Sequence, residues 1–443
     1  MHERRLTVQD LVPQRSGVDV FLWLVFGAAL AVRLVLMPLP EPIEFDLTYF
    51  WLPWMNYGAE HGLAQLYLQG EPLVNYPPFF LSLLVGLGKV YALLVPSLEH
   101  TPLQSALIRL PGVAADMAVG ALLYLAARQI EQKRGWTSRL PLLAAGLWLF
   151  NPAVIYVSSV WGQVDSIHTL WMLAALLAAL HKHWGWSGLL LGLALLTKLQ
   201  AIIVAPLLVL LAWWSGWRSL ARWFGAAAVT VVAGLLPLWA SGALQPVLDL
   251  YFGSVGFYPA MSMNAYNPWF IAHLRTREVL GYWVEDSTAV LGPITLRHLG
   301  LGLLAGYVLL VIWILIRRWR APSNEPAPWA SAAQQLGIFF AAGLLIFGFF
   351  MLATEMHERY ILPALAPLAL TAALLRPTRV PFVLLSVTAL LNLIHVLPVT
   401  RDQIQLMETL PDIRIHISVA NTALFVWWTW LFVRGKRAFA ASS

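Results

Sequence analysis

The chain has 443 residues, of which 59% are hydrophobic and only 11% charged, with a mean hydropathy of +0.70. Soluble domains carry about a quarter charged residues, so this composition excludes a water-soluble globular protein; the longest polar stretches, 39–77 and 242–297, are loops rather than domains. The absence of cysteine excludes a disulfide framework and a thiolate metal site. The net charge of +6 comes from short basic clusters between apolar segments, a topology signal rather than a nucleic-acid footprint.

Crossing a bilayer takes about 20 apolar residues, with a range of roughly 17 to 25. Residues 1–19 form a polar tail, and 20–38 is the first predicted span. It is longer than a signal-peptide core and is followed by Pro38 and Pro40 rather than a small-residue cleavage site, so it is expected to remain as a span. Further spans are predicted over 105–127, 139–160, 166–181, 221–240, 298–316, 334–353, 360–375, 380–397 and 417–433. Two segments need the loop charges to be read. Residues 78–96 are apolar but begin at Pro77-Pro78 and contain Lys89; residues 184–215 are too long for one span and are interrupted at Thr197-Lys198-Leu199-Gln200.

Basic residues concentrate in cytoplasmic loops. The clusters Arg4/Arg5/Arg15, Arg128/Lys133/Arg134/Arg139, Lys182, Arg218/Arg222, Arg317/Arg318/Arg320, Arg376/Arg379 and Arg434/Lys436/Arg437 all fall on one side if two conditions hold. Residues 78–96 then lie along the outer interface, and 184–215 are two short spans meeting near Lys198 on the outer side. The expectation is an all-α polytopic transmembrane protein of about twelve spans, plus an interfacial helix in the first outer loop, with both termini inside. Its parts are a cytoplasmic tail 1–19, an N-terminal transmembrane module 20–240 with a first outer loop 39–104, an outer loop 241–297, a C-terminal module 298–434 and a tail 435–443.

This topology gathers polar residues on the non-cytoplasmic face. The first outer loop carries Glu44-Phe45-Asp46 and, after a run of aromatics, Asn75-Tyr76-Pro77-Pro78. The span 139–160 exits into Trp161-Gly162-Gln163-Val164-Asp165-Ser166. Lys198 stands at its junction. The loop 242–297 holds Asn264-Ala265-Tyr266-Asn267-Pro268-Trp269, and 334–353 exits into Glu355-Met356-His357-Glu358-Arg359-Tyr360. Plain alternatives exist: Asp46 as a solvated carboxylate, Asp165 as a helix cap, Lys198 snorkelling to the interface, His357-Glu358-Arg359 as a polar span end, and Arg33 and Asp116 as structural pairs. Convergence on one side favours function, because ionisable residues at membrane depth are functional by default.

A membrane-bound phosphate donor requires fixed cations at its departing oxygens. His357, Arg359 and Lys198 are the candidates. An acceptor hydroxyl requires a carboxylate within hydrogen-bond reach as general base, and Asp46 is the best placed. Glu44, Tyr76, Gln163, Asp165, Asn264, Tyr266, Trp269 and Glu358 are candidate sugar or acceptor contacts. No Gly-rich phosphate loop, zinc motif or nucleophile elbow is present, so no metal or other cofactor is expected, and a lipid-carried donor suits the residues better than a nucleotide sugar.

On these residues the chain resembles the GT-C superfamily of polytopic glycosyltransferases over about residues 20–400. It is most similar to the branch that includes the dolichyl-phosphate-glucose glucosyltransferases and their bacterial mannosyltransferase-like relatives. Glu44-Phe45-Asp46, Tyr76-Pro77-Pro78, Trp161–Ser166, Leu196–Gln200 and Met356–Tyr360 carry the resemblance, in the family's order. It implies a polyprenyl-phosphate-linked monosaccharide donor, a glycan acceptor that is lipid-linked or otherwise, and inversion at the anomeric carbon. It places Asp46 as base with His357 and Arg359 near the donor phosphate. At Asp165 the eukaryotic glucosyltransferases carry a different pattern. The Trp-Trp-Asp-Tyr-Gly motif of oligosaccharyltransferases is absent, which argues against transfer of a whole glycan to protein. The expected location is the plasma membrane of a bacterium or the endoplasmic reticulum of a eukaryote, with the site on the outer face. The rival reading is a transporter or flippase of a lipid-linked sugar. Such a carrier exposes its site to both sides, whereas these polar residues cluster on one.

Overall fold

A computed structural model describes residues 20–40, 46–69, 74–135, 137–319, 329–398 and 413–435. Glu44 and most of both tails lie outside them. The protein is an all-α polytopic membrane protein. Among the described residues six helices are long and apolar enough to cross a bilayer. They are α5 (Pro102–Lys133), α11 (Trp217–Ala240), α14 (Leu296–Trp319), α15 (Ala332–Leu352), α17 (Arg379–Val396, with the turn at Arg376 before it) and α18 (Ile413–Arg434). Shorter apolar helices are α1 (Val20–Leu36), α4 (Pro78–Leu94), α8 (Asp165–Leu180), α9 (Trp184–Thr197) and the continuous pair of a 3₁₀ segment Leu199–Val204 with α10 (Ala205–Trp214).

The expected spans are therefore not equal. Residues 139–160 were expected as one span but form α6 (Leu140–Leu149) and a second piece, α7 (Pro152–Ile155) with a π-helical turn Tyr156–Trp161, bent by 44°. Asn151-Pro152 is the cause. Proline cannot continue the amide ladder, and the Asn151 side chain caps the new helix by accepting from the Ala153 amide at 3.1 Å. The segment after Tyr360 yields α16 (Leu362–Leu374), 13 residues and every one of them buried. At 1.5 Å per residue it is about 20 Å long, too short for a bilayer but suited to the middle of a bundle. The interruption in 184–215 falls at Lys198, whose backbone is extended (φ −162°, ψ 129°).

Where these helices break, buried arginines receive the freed carbonyls. Arg33 of α1 donates to Leu149 O at 2.8 Å, at the bend, and to Asp116 of α5 at 2.9 Å. Asp116 also accepts from the Ser158 hydroxyl at 2.6 Å. Arg109 of α5 donates to Met37 O at 2.7 Å and Leu39 O at 2.6 Å, past the end of α1. In an apolar surrounding each unsatisfied carbonyl would be strongly unfavourable, so these side chains permit the kinks.

The bundle is centred on α15 and α16, whereas α11 is almost entirely outward-facing. A second core lies around the segment that follows Asp46. After Asp46 a π-helical turn Leu47–Trp51 leads into α2 (Leu52–His61) and α3 (Leu63–Leu68). Trp51 meets Trp54, Tyr76 and Phe80 at ring separations of 5.1, 5.2 and 5.1 Å. This edge-on packing fixes the loop onto α4, one face of which is buried through Phe80, Leu81, Leu84 and Tyr91. The segment 241–297 contains α12 (Leu244–Phe252), α13 (Pro268–Leu280) and a small hairpin of β1 (Ala289–Leu291) and β2 (Ile294–Thr295).

α9 and α11 approach through small residues. A Cβ at Gly188 would stand 2.1 Å from the Trp223 carbonyl oxygen, and one at Gly192 would stand 2.7 Å from Thr230 Cβ. Overpacking typically destabilises by about 1–3 kcal/mol, and here the obstacle is backbone. Gly188→Ala is expected to lower the thermal unfolding midpoint of the purified protein, while Gly185→Ala, with open space around it, leaves it nearly unchanged. Equal midpoints for the two variants would refute this packing.

Candidate active site

Four interruptions of apolar helices converge. Asp46 stands at the start of the turn held by the Trp51 aromatic core. One of its oxygens, Oδ2, accepts from Trp161 Nε1 at 2.9 Å and also from Gln163 Nε2. Gln163 in turn accepts from the Tyr76 hydroxyl at 3.3 Å. Between the two donors Gly162 has φ +80°, and Arg109 Cγ lies 3.2 Å from where a Cβ would be. A side chain is disfavoured there by conformation and crowded by the arginine that ties down the preceding turn. The result is one carboxylate oxygen fixed by two N–H donors. Among the described residues no hydrogen bond engages the other.

Asp165 opens α8 and is fully buried. Lys198 Nζ donates to its Oδ1 at 2.7 Å and sits 4.5 Å from the centre of the Tyr360 ring. Arg359 Nε lies 3.8 Å from Asp165 Oδ2, beyond hydrogen-bond length, and neither atom has a hydrogen-bond partner. Arg359 Nη1 donates to Glu358 at 2.6 Å, and the guanidinium lies 5.6 Å from the Trp161 ring centre. Asp46, Tyr76, Asp165 and Glu358 all bear electrostatically on Arg359. The sequence candidates Asp46, Tyr76, Gln163, Asp165, Lys198, Glu358 and Arg359 thus form one cluster, with His357 beside it.

His357 precedes a 3₁₀ turn, Glu358–Ile361, and pairs by backbone with Met263 and Asn264. Its ring lies edge-on to Tyr258 at 5.0 Å. Burial, then the neighbouring Arg359 and Lys198, depress its pKa, so the imidazole is neutral. Burial raises the Glu358 carboxyl, with Arg359 opposing. Two small cavities adjoin the cluster, one lined by Asp165 and Lys198 and the other mainly by apolar residues, with Met172, Ile346 and Pro363 common to both. Among the described residues no three His, Asp or Glu side chains are grouped as metal ligands.

The Asn264–Trp269 run behaves differently. Asn264 adjoins His357 through the backbone, but its carbonyl accepts from Asn392 at 2.8 Å. Tyr266 is buried against Phe270, its hydroxyl bonded to His395 and its carbonyl to Asn421. Trp269 Nε1 donates to Leu352 O at 2.8 Å, and Asn267 to Phe350 O at 2.7 Å. These polar atoms fasten the loop to α15, α17 and α18, and the aromatics are not presented to the carboxylates. Trp161, Tyr258 and Tyr360 are neighbours of the cluster that the choice of site residues from sequence left out. Trp161 and Tyr360 stood inside the motifs, whereas nothing local marks Tyr258.

The sequence pattern described as "Glycosyltransferase family 87" matches residues 75–348. No curated protein sequence matches the chain. Among solved structures, the chain is similar to the crystal structure of the Archaeoglobus fulgidus oligosaccharyltransferase tethered with an acceptor peptide containing the NVT sequon via a disulfide bond. The identity is 14% and the TM-score 0.40, over 96% of this chain and 55% of that one. The chain therefore spans about half the length of that protein.

Removing one partner of a buried ion pair strands the other and typically destabilises by about 3–5 kcal/mol, whereas replacing both is far milder. Lys198→Met and Asp165→Asn are each expected to lower the unfolding midpoint, and the double variant is expected to regain most of the loss. A double variant as unstable as the sum of the two singles would show that the pair is not coupled.

Proposed function

The chain belongs to glycosyltransferase family 87, which makes it a membrane glycosyltransferase, and we propose that it moves a monosaccharide from a polyprenyl-phosphate carrier to a glycan acceptor on the non-cytoplasmic face, with inversion. The observation that carries this reading is the carboxylate of Asp46, held through a single oxygen by Trp161 and Gln163 beside Arg359. A general base needs one oxygen anchored and one available. That arrangement serves an acceptor hydroxyl approaching Oδ1.

The step is a displacement at the anomeric carbon. The acceptor oxygen attacks, Asp46 takes its proton, and the bond from the anomeric carbon to the phosphate oxygen breaks with its electron pair passing to phosphate. Arg359 and the neutral His357 meet the charge that grows there, the larger electrostatic part of catalysis. Lys198 is bonded to Asp165. Its proposed part is to hold Asp165 beside Arg359, with any contact to phosphate secondary. Glu358 shares Arg359 and sets its direction. Tyr76 and Gln163 are placed for contacts to the sugar, whereas Asn264, Tyr266 and Trp269 are assigned to holding the loop.

Incubation of the purified protein with a panel of polyprenyl-phosphate sugars, scored by release of polyprenyl phosphate, tests the donor class. With a competent donor, Asp46→Asn is expected to fold and bind normally yet lose turnover by about 10²–10⁴, the usual worth of general-base help. Glu44→Asn is expected to do much less. A large loss at Glu44 or Asp165 with near-normal Asp46→Asn would move the base elsewhere.

Arg359→Lys keeps the charge but loses the planar fork. Charged hydrogen bonds contribute about 1.5–3 kcal/mol, so donor affinity should fall by roughly 10- to 100-fold while a neutral acceptor binds as before. Equal losses for donor and acceptor would contradict the role given to Arg359.

A further inference from the structure

A second ionic group lies on the outer loops, beside the site but sharing no residue with it. Arg297, in the first turn of α14, donates from Nη2 and Nε to the two oxygens of Asp286 at 2.7 and 3.0 Å. The same Nε lies 3.0 Å from Glu355 Oε1. Asp286 is fully buried and also accepts from the Thr354 hydroxyl at 2.7 Å. Glu355 accepts from the Gly256 amide with both oxygens, at 2.8 and 2.9 Å, and from the Tyr258 amide at 3.4 Å.

The backbone is bent to make these contacts. Glu355 has φ +62°, a left-handed conformation that residues with side chains rarely adopt and that persists only where surroundings hold it. Gly256 has φ +91°, and a Cβ there would stand 2.7 Å from Arg297 Nη1. Two residues on, Tyr258 lies edge-on to His357, and its hydroxyl accepts from Asn75 at 3.1 Å, next to Tyr76. Glu355 N donates to Ala260 O at 3.2 Å and Met263 N to Met356 O at 2.9 Å. The group therefore ties segments 256–263, 286–297 and 354–357 together at the edge of the cluster.

We infer that Arg297, Asp286 and Glu355 form a clasp that sets the position of Tyr258 and His357 over the carboxylate cluster, and that Glu355 is a positioning residue for glycosyl transfer. The inference rests on the reading of that cluster as the active site. Two carboxylates share one guanidinium, so the clasp carries excess negative charge when both are ionised. The charged groups facing Glu355 are Asp286 from the segment before β1 and Arg297 from α14; its other partners are the two amides. Burial, and then Asp286, push the Glu355 carboxyl up to about 7. A carboxyl released to water titrates near 4.5. The closed clasp thus binds the proton more tightly than the open one. Acid favours closure, and closure weakens as pH rises from about 4.5 to about 7, then levels.

Hydrogen–deuterium exchange of residues 253–264 in the full-length protein reads the clasp without a substrate. Wild type and Glu355→Gln are compared at equal pH from 5 to 8; glutamine keeps the shape but cannot ionise. Wild-type protection is expected to fall relative to the variant as pH rises to 7. The Kd for undecaprenyl phosphate, used as the carrier without sugar, is expected to rise over the same window in wild type relative to Glu355→Gln, the second ionisation of the phosphate being common to both. Glu355→Ala is expected to raise that Kd by about tenfold or more throughout, the size of one lost charged hydrogen bond. If Glu355→Ala does not fold, Glu355→Gln alone decides. Identical pH profiles of exchange and Kd in wild type and Glu355→Gln would overturn the clasp. Asp46→Asn separates the two readings: if it remains active the active-site assignment fails, whatever the exchange profiles show.

Discussion

A helix interrupted in an apolar surrounding leaves amides and carbonyls that must find partners in the protein, because none are available outside it. The architecture of this molecule follows from where such interruptions are tolerated. At the bend after α6 the Leu149 carbonyl is met by Arg33, and past the end of α1 the carbonyls of Met37 and Leu39 are met by Arg109. Both arginines are buried, and Arg33 is neutralised by Asp116. The side chains of the candidate site then occupy the ends so created: Trp161 and Gln163 after the second half of the bent span, Lys198 between α9 and the 3₁₀ segment, and His357–Arg359 after α15. A straight bundle of continuous helices would have nowhere to put them.

The same economy governs charge. Asp46, Asp165 and Glu358 face Lys198 and Arg359, and each carboxylate is anchored through one oxygen by another member or by an N–H donor. Burying ions in this way contributes little net stability and is strongly unfavourable if one member is lost. What it provides is direction. Arg359 is held between carboxylates and over Trp161, so its guanidinium is fixed in direction. The Arg297 group repeats the pattern, one arginine drawing three loop segments together.

Much of this was legible in the sequence. The extreme hydropathy fixed the class, and the polar motifs at helix ends named most of the cluster, because a charged residue beside an apolar run has few places to go. The interruption at Thr197–Gln200 was read from the length of the apolar segment and the charges of the loops around it, and it lies at Lys198. The kink at Asn151-Pro152 was not foreseen: hydropathy is blind to a capping amide, and the apolar residues continue through the bend. Nor was α16 read as enclosed, since a 13-residue apolar helix looks the same whether lipid or protein surrounds it. The Asn264–Trp269 run was read as sugar-facing because amides and aromatics suit a sugar. They equally suit the bonding of a loop to three helices, and only the partners Asn392, Asn421, Phe350 and Leu352 distinguish the two uses. The contacts of Tyr258 and Glu355 run to residues distant in sequence, which no local pattern records.

The mounting of α11 carries one further consequence. Nearly all of its surface faces outward, while its inner side is keyed to α9 through Gly188 and Gly192, where not even a methyl group fits without displacement. α9 has 14 residues, about 21 Å of helix, shorter than the roughly 30 Å hydrocarbon layer. α11, with 24 residues, is long enough to match that layer. The helix onto which α11 locks is also the one that ends at Lys198, so the lipid-exposed α11 and the buried Lys198–Asp165 pair share one short support.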